Sequence, residues 1–207
     1  MEKPIFPSKN MRITQGYEEG THMDSYAIDN AGKDYGIDKI YAPFTGIIKK
    51  IYPNDANEVW LESRDEVEYP DGTIDFMTIM FAHSNDISNL FVGKEIKQNE
   101  AFYEEGTKGN ATGNHCHMEC GKGKFTDNGW HQNNSGYWSI NNRKKPEECL
   151  WINDEINVID NYGYQFRKIE NKISTNSVDK KFIAPKTDLY GVYLKENQEL
   201  IIKDLPQ

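Results

Sequence analysis

His115 and His117 stand two residues apart within Gly113-Asn114-His115-Cys116-His117-Met118-Glu119. In an extended strand, side chains two apart project from the same face, so this segment would set two imidazoles side by side. A neutral imidazole is a good zinc ligand and, close to neutral pH, a carrier of protons. A satisfied pair of surface or core histidines would explain the spacing equally well on its own. Three further side chains favour chemistry. His22 lies in a loop after the strand-like run MRITQGY, Asp29 ends Tyr26-Ala27-Ile28-Asp29, and His83 ends Thr78-Ile79-Met80-Phe81-Ala82. A catalytic zinc needs three protein ligands and one open position. His22, Asp29 and His117 would supply that set. His83 and His115 would then be free to orient water, accept its proton and stabilise an oxyanion.

These residues must be gathered by strand ends and loop mouths of one sheet. Short β-rich runs dominate from residue 11 to about 120: Met11–Tyr17, Ser25–Asn30, Ile47–Tyr52, Val59–Ser63, Thr73–His83 and the strand carrying His117. Pro70-Asp71-Gly72 is a hairpin turn signal, because Asp-Gly readily supplies positive φ. Ser84 is positioned to cap a short helix over Asp86–Leu90, and Asn128–Asn142 reads as a surface loop anchored by Trp130, Tyr137 and Trp138. In the histidine strand Cys116, Met118 and Cys120 alternate with His115, His117 and Glu119. The sulfurs should therefore face the core as inert thiols, and three cysteines do not make a disulfide framework. The fold expected is mainly β: an antiparallel sheet with a groove across it, walled by the loops Tyr52–Glu58 and Phe125–Asn142.

The ordered blocks ITQGY with His22 and YAID, then YAPFTGII, then MFAHSND, then GNATGNHCHMEC resemble the lysostaphin-type zinc metalloendopeptidases, which cut peptide bonds of bacterial peptidoglycan. The resemblance covers residues 11–121. It implies one zinc ion held by His22, Asp29 and His117, with His115 as general base and His83 as the second catalytic histidine. One departure stands out. The family's commonest spacing from the first histidine to the aspartate would land on Tyr26, whereas Asp29 lies seven residues after His22. A bulged loop over His22–Ser25 would let Asp29 reach the metal, and Asp24 is the alternative ligand. Tyr17 could donate to a reaction intermediate or could simply pack. Glu119 could receive a ligand's ring N–H, His131 reads as exposed, and Thr112 and Asn114 as cleft floor.

The 207 residues carry a net charge of -9, of which residues 1–152 hold -8 (16 Lys/Arg against 24 Asp/Glu). That balance argues against nucleic acid, and no apolar run is long enough to span a bilayer. The expected division is a catalytic domain over 1–152 and a small β appendage over 153–207. The appendage would serve wall binding or self-association, or only cover the core. The N-terminal residues lack the zones of a secretory signal. The expectation is therefore a phage endolysin made in the cytoplasm, reaching the wall after the membrane is breached. The alternatives are a tail-associated wall-penetrating protein and a non-catalytic peptidoglycan binder.

Overall fold

The computed structural model describes residues 1–53 and 55–170, together with the backbone of Tyr190–Tyr193 and Ile201–Asp204. The strands of the first half are β1 (Asn10–Gln15), β2 (Ile28–Asn30), β3 (Lys39–Tyr41), β4 (Gly46–Tyr52), β5 (Glu58–Ser63), β6 (Val67–Glu68), β7 (Ile74–Asp75), β8 (Met77–Ala82), β9 (Glu95–Ile96) and β10 (Ala101–Glu104). They are followed by β11 (Cys116–Lys122), β12 (Trp130–Gln132), β13 (Trp138–Ile140), β14 (Arg143–Lys144), β15 (Trp151–Ile152), β16 (Asn157–Asp160), β17 (Arg167–Lys168), β18 (Tyr190–Tyr193) and β19 (Ile201–Asp204). The protein is mainly β, as its alternating runs predict.

One large sheet organises the molecule in the order β16-β1-β2-β11-β8-β5-β4-β9, with β14 added beside β11. All its pairings are antiparallel except β1 with β16. Period-two alternation sorts the side chains of its middle strands onto two faces. Val59, Phe81, Met118 and Ile28 occupy one register row and point into the main core, with Leu61, Ile79 and Cys120 in the next. Phe44, Ile40, Tyr69, Tyr103 and Leu150 close over that face. Cys116, Cys120 and Cys149 are all free and buried there, so the sulfurs do face the core. The opposite face carries a smaller apolar cluster of Trp60, Met80, Ala82, Ala56 and Ile140, and beside it the polar residues of interest.

Several expectations are corrected. The Pro70-Asp71-Gly72 turn forms, with Gly72 at φ +87° between β6 and β7, but Phe76 breaks the long run so that β8 begins at Met77. No helix forms over 86–90. Ser84 Oγ bonds to Asp86, and the Asp86 carboxylate accepts the Ser88 N–H, so local turns take the bonds that one marginal helical turn would need. The stretch 128–142 is not only loop: β12 and β13 pair as a hairpin, with Trp130 opposite Ile140.

The boundary expected after Ile152 falls instead after Glu170. Residues 153–170 complete the first unit: β16 pairs with β1, β17 pairs with β15, and Ile156 joins the main core. Their polar composition marks an exposed sheet edge. The second unit, residues 171–207, contains the antiparallel pair β18–β19, where alternating runs were expected. The remainder of the expected appendage lies outside the described residues. Among the described residues no helix is long and apolar enough to cross a membrane.

Candidate metal and proton-transfer site

The polar face of the sheet assembles the site by register. Ala82, His117 and Asp29 lie in one row across β8, β11 and β2, and Trp60, Met80 and Glu119 in the next across β5, β8 and β11. His115 sits just before β11, pinned by a two-way backbone bridge with Gly106. His22 comes from a short 3-10 turn, Gly20–His22, rather than from the sheet. His83 leaves the end of β8 in a left-handed conformation, φ +84°, which is costly for a non-glycine residue and marks a constrained position. Gly106 makes that position feasible, since a Cβ there would fall 2.3 Å from the His83 carbonyl oxygen.

Backbone carbonyls fix three of the four rings. The Nδ1–H groups of His22, His83 and His115 donate to Gly16 O (2.9 Å), Lys108 O (2.7 Å) and Gly113 O (2.8 Å). A carbonyl can only accept, so each of these rings offers Nε2 to its surroundings. His22 Nε2 lies 3.3 Å from Asp29 Oδ1, and His115 Nε2 lies 3.6 Å from Asp29 Oδ2. His117 is turned the other way. Its Nδ1 is 3.0 Å from Asp29 Oδ1, while its Nε2 is 3.5 Å from Glu119. Glu119 is buried and held by Ser139 Oγ–H (2.7 Å) and the Ile140 N–H (3.2 Å). A carboxylate behind a ligating ring fixes its orientation and raises its basicity.

His22, Asp29 and His117 each contribute a donor atom, and the three atoms lie within 4.8 Å of one another. Two imidazole nitrogens and one carboxylate oxygen, gathered in this way, fit the donor chemistry of zinc. The electrostatics point in the same direction. Burial resists ionisation of Asp29, but its bonds from His117 and His22 outweigh that and hold the carboxyl well below the usual range. Burial likewise opposes charge on His117, and the bonds to Asp29 and Glu119 outweigh it, raising the ring to about 10. This pocket holds positive charge between carboxylates. His83 differs: burial first, then repulsion from His117, lowers it to about 4, so it is neutral near pH 7.

The cluster opens into a cavity of about 440 Å³ whose lining includes Gln15, Thr21, Thr112, Glu58, Trp130 and Trp138. All five expected site residues line it, and the rings of His83 and His115 lie 4.6 Å apart. Asp24 is elsewhere, bonded by Ser135 Oγ–H. Tyr17 packs: its hydroxyl donates to Glu147 and its ring stacks on Tyr164 at 4.5 Å. His131 is exposed against Asn141. Thr112 lines the cavity, whereas Asn114 bonds to Tyr35 O. Sequence reasoning missed Glu58. Its signal was the alternation Glu58-Val59-Trp60-Leu61-Glu62, whose odd positions are core and whose even positions share the face of His117.

No protein-family model matches the chain. Morphogenesis protein 1 of Bacillus phage B103 is 29% identical over 169 residues, which are 80% of this chain and 41% of that protein. The chain thus spans less than half the length of this curated relative. Among solved structures, it is similar to the catalytic domain of lysostaphin from Staphylococcus simulans, with 19% identity and a TM-score of 0.45 over 66% of this chain and 89% of that one. It is also similar to the catalytic domain of the prophage-encoded M23 protein EnpA of Enterococcus faecalis, with 20% identity and a TM-score of 0.41 over 55% and 82%. The SpoIIQ–SpoIIIAH pore-forming complex matches with 19% identity and a TM-score of 0.46 over 72% and 92%.

Proposed function

We propose that this chain is a zinc-dependent endopeptidase of the lysostaphin type, hydrolysing peptide bonds of bacterial peptidoglycan. The observation that carries the reading is the convergence of His22, Asp29 and His117 on one point, flanked by His83 and His115 in an open cavity. Zinc held by those three residues would supply Lewis acidity at the scissile carbonyl. The chain's own groups manage the proton. Hydrolysis adds hydroxide to the acyl carbon and a proton to the departing nitrogen. His115 Nε2, left with a lone pair by the bond at Nδ1, accepts the proton from water and returns it to the nitrogen. His83 presents a second lone pair at Nε2, so it donates to a developing oxyanion only after gaining a proton. Glu119 keeps His117 in register throughout.

The test is digestion of purified peptidoglycan with zinc-loaded protein, followed by mass spectrometry of the released fragments. New amino and carboxyl termini at one type of peptide bond are expected. Their absence, with zinc bound at one ion per chain, would overturn the hydrolase reading.

A second reading concerns the setting. The similarity to a phage morphogenesis protein favours a virion-borne part that opens the wall locally over a free endolysin. In either setting the target is peptidoglycan, with no nucleic acid and no membrane insertion. Antibody detection in purified particles separates the two: signal in particles supports the virion-borne setting, and signal only in the lysate supports the free lysin.

A further inference from the structure

Glu58 is a buried acid for which the zinc site gives no use. It is 9% exposed, it lines the cavity, and its Oε2 is shielded from solvent without a hydrogen-bond partner among the described residues. Its strand neighbour Glu62 is paired with Lys49 at 3.3 Å, whereas no Lys or Arg pairs with Glu58 among the described residues. Burial raises its pKa, with Asp55 adding to the effect and the backbone at Glu58 and Ala56 and the nearby His117 opposing it. A buried carboxylate with one oxygen unbonded and no cationic side chain paired to it is costly, so the site favours a partner that brings a positive charge.

The surroundings select the kind of cation. Trp130 and Trp138 line the same cavity with ring centroids 5.3 Å apart, and Trp138 is 57% exposed. Trp130 is braced edge-on by Trp60 at 5.1 Å and Tyr52 at 5.2 Å. The nearly buried Met80 and Ala82 add an apolar floor. A single carboxylate among aromatic rings lacks the oxygens a hard metal ion demands. It does suit an ammonium group on an aliphatic stem, with the charge against the acid and the ring faces and the stem on the floor. The same aromatic cluster already holds one ammonium. Lys50 Nζ, outside the cavity lining, lies 5.6 Å from the Trp130 ring and 5.7 Å from the Trp60 ring.

Position relative to the zinc cluster adds the specificity. Extending the Val59–Phe81 pairing by one residue sets Glu58 opposite Ala82, whose other neighbour is His117. Two strand spacings make roughly 10 Å, or about three residues of extended peptide. We propose that Glu58, Trp130 and Trp138 form a subsite for the side-chain ammonium of a diamino acid in the peptide that occupies the cavity. The assignment of that peptide as substrate rests on the hydrolase reading; the ammonium recognition can be measured without turnover.

The full chain, stripped of metal by a chelator, is titrated with end-capped Ala-Lys-Ala and with its Nε-acetyl-lysine counterpart, followed by tryptophan fluorescence. The free amine is expected to bind at least about fivefold more tightly than the acetylated peptide. Glu58→Gln should abolish that preference while leaving affinity for the acetylated peptide unchanged. Equal binding of the two peptides by the native chain, or no saturation of either below about 10 mM, overturns the subsite. A preference that survives Glu58→Gln also overturns it. The native-chain comparison decides the matter even if the variant fails to fold. Preference without peptidoglycan hydrolysis would refute the hydrolase reading and keep the subsite, and hydrolysis without preference would do the reverse.

Discussion

Asp29 and His117 are directly opposed partners across the β2–β11 ladder, and Asp29 Oδ1 lies 3.0 Å from His117 Nδ1. The ladder that builds the sheet therefore also sets the distance between two proposed zinc ligands. A one-residue slip would send one of them to the core face, where Ile28 and Met118 now sit. Register and the geometry of the candidate metal site are one property here.

Asp29→Asn removes the charge and half the acceptor capacity at the centre of this arrangement. Zinc content after dialysis, measured by elemental analysis, should fall from one ion per chain to a small fraction of that. Asp24→Ala should retain full zinc, because Asp24 faces Ser135 and not the cluster. The reverse pattern would reassign the ligand to Asp24.

His115→Ala and His83→Ala should each keep the metal and lose turnover. Proton transfer by a placed side chain is worth about 10²–10⁴-fold, and losses of that order in kcat are expected with KM little changed. The check is peptide hydrolysis with zinc content measured on the same samples. A His115→Ala protein with native turnover would remove that ring from the chemistry.

Glu105 supplies a pH dependence of stability. It is wholly buried, accepts the Asp38 N–H at 3.3 Å, and burial raises it to about 8. A carboxyl raised in the folded state favours folding fully below its ordinary unfolded value, and that contribution is lost as pH climbs towards 8. Glu105→Gln, free of this ionisation, should gain on the native protein as pH rises from about 5 to 8, by on the order of a few kcal/mol at most. Thermal unfolding of both proteins across that interval checks it. A difference that does not vary with pH contradicts the assignment.

Truncation tests the corrected boundary. A chain ending at Ile152 loses the β1–β16 and β15–β17 pairings, the Tyr164 contacts to Tyr17, and Ile156 from the core. It should unfold at far lower temperature and bind zinc poorly. A chain ending at Glu170 should keep both the unfolding transition and the zinc of the full-length protein. Equal behaviour of the two truncations would return the boundary to Ile152.

Much of this was legible in the sequence because side-chain alternation has a fixed meaning in a strand. The runs 47–52 and 59–63 are strands within a residue of their expected bounds, the run 73–83 keeps its end but starts at Met77, and the thiols of Cys116 and Cys120 face the core opposite His117 and Glu119. Asp29, Ala82 and His117 then share a row. What was hidden depends on contacts far apart in sequence. Nothing local says that Asn157 will pair with Asn10, so residues 153–170 read as part of a separate appendage. Nothing local says that Trp130 will turn back onto Trp60, so its hairpin read as loop. The orientation of His117, opposite to that of the other three rings, follows from Asp29 and Glu119 on either side of it and from no motif.

The loop that carries His22 is braced from the other end of the first unit. Tyr162 hydroxyl donates to Glu19 at 2.5 Å, Tyr164 hydroxyl accepts the Tyr17 N–H at 3.1 Å, and a Cβ on Gly16 would fall 2.2 Å from that hydroxyl. Gly16 is in turn the residue whose carbonyl fixes His22. Chains are made from the amino end, so His83, His115 and His117 leave the ribosome well before the tyrosines that steady His22. The bracing of His22 is thus completed late in synthesis. A product of stalled translation, lacking Tyr162 and Tyr164, would carry all five site residues and still hold His22 poorly.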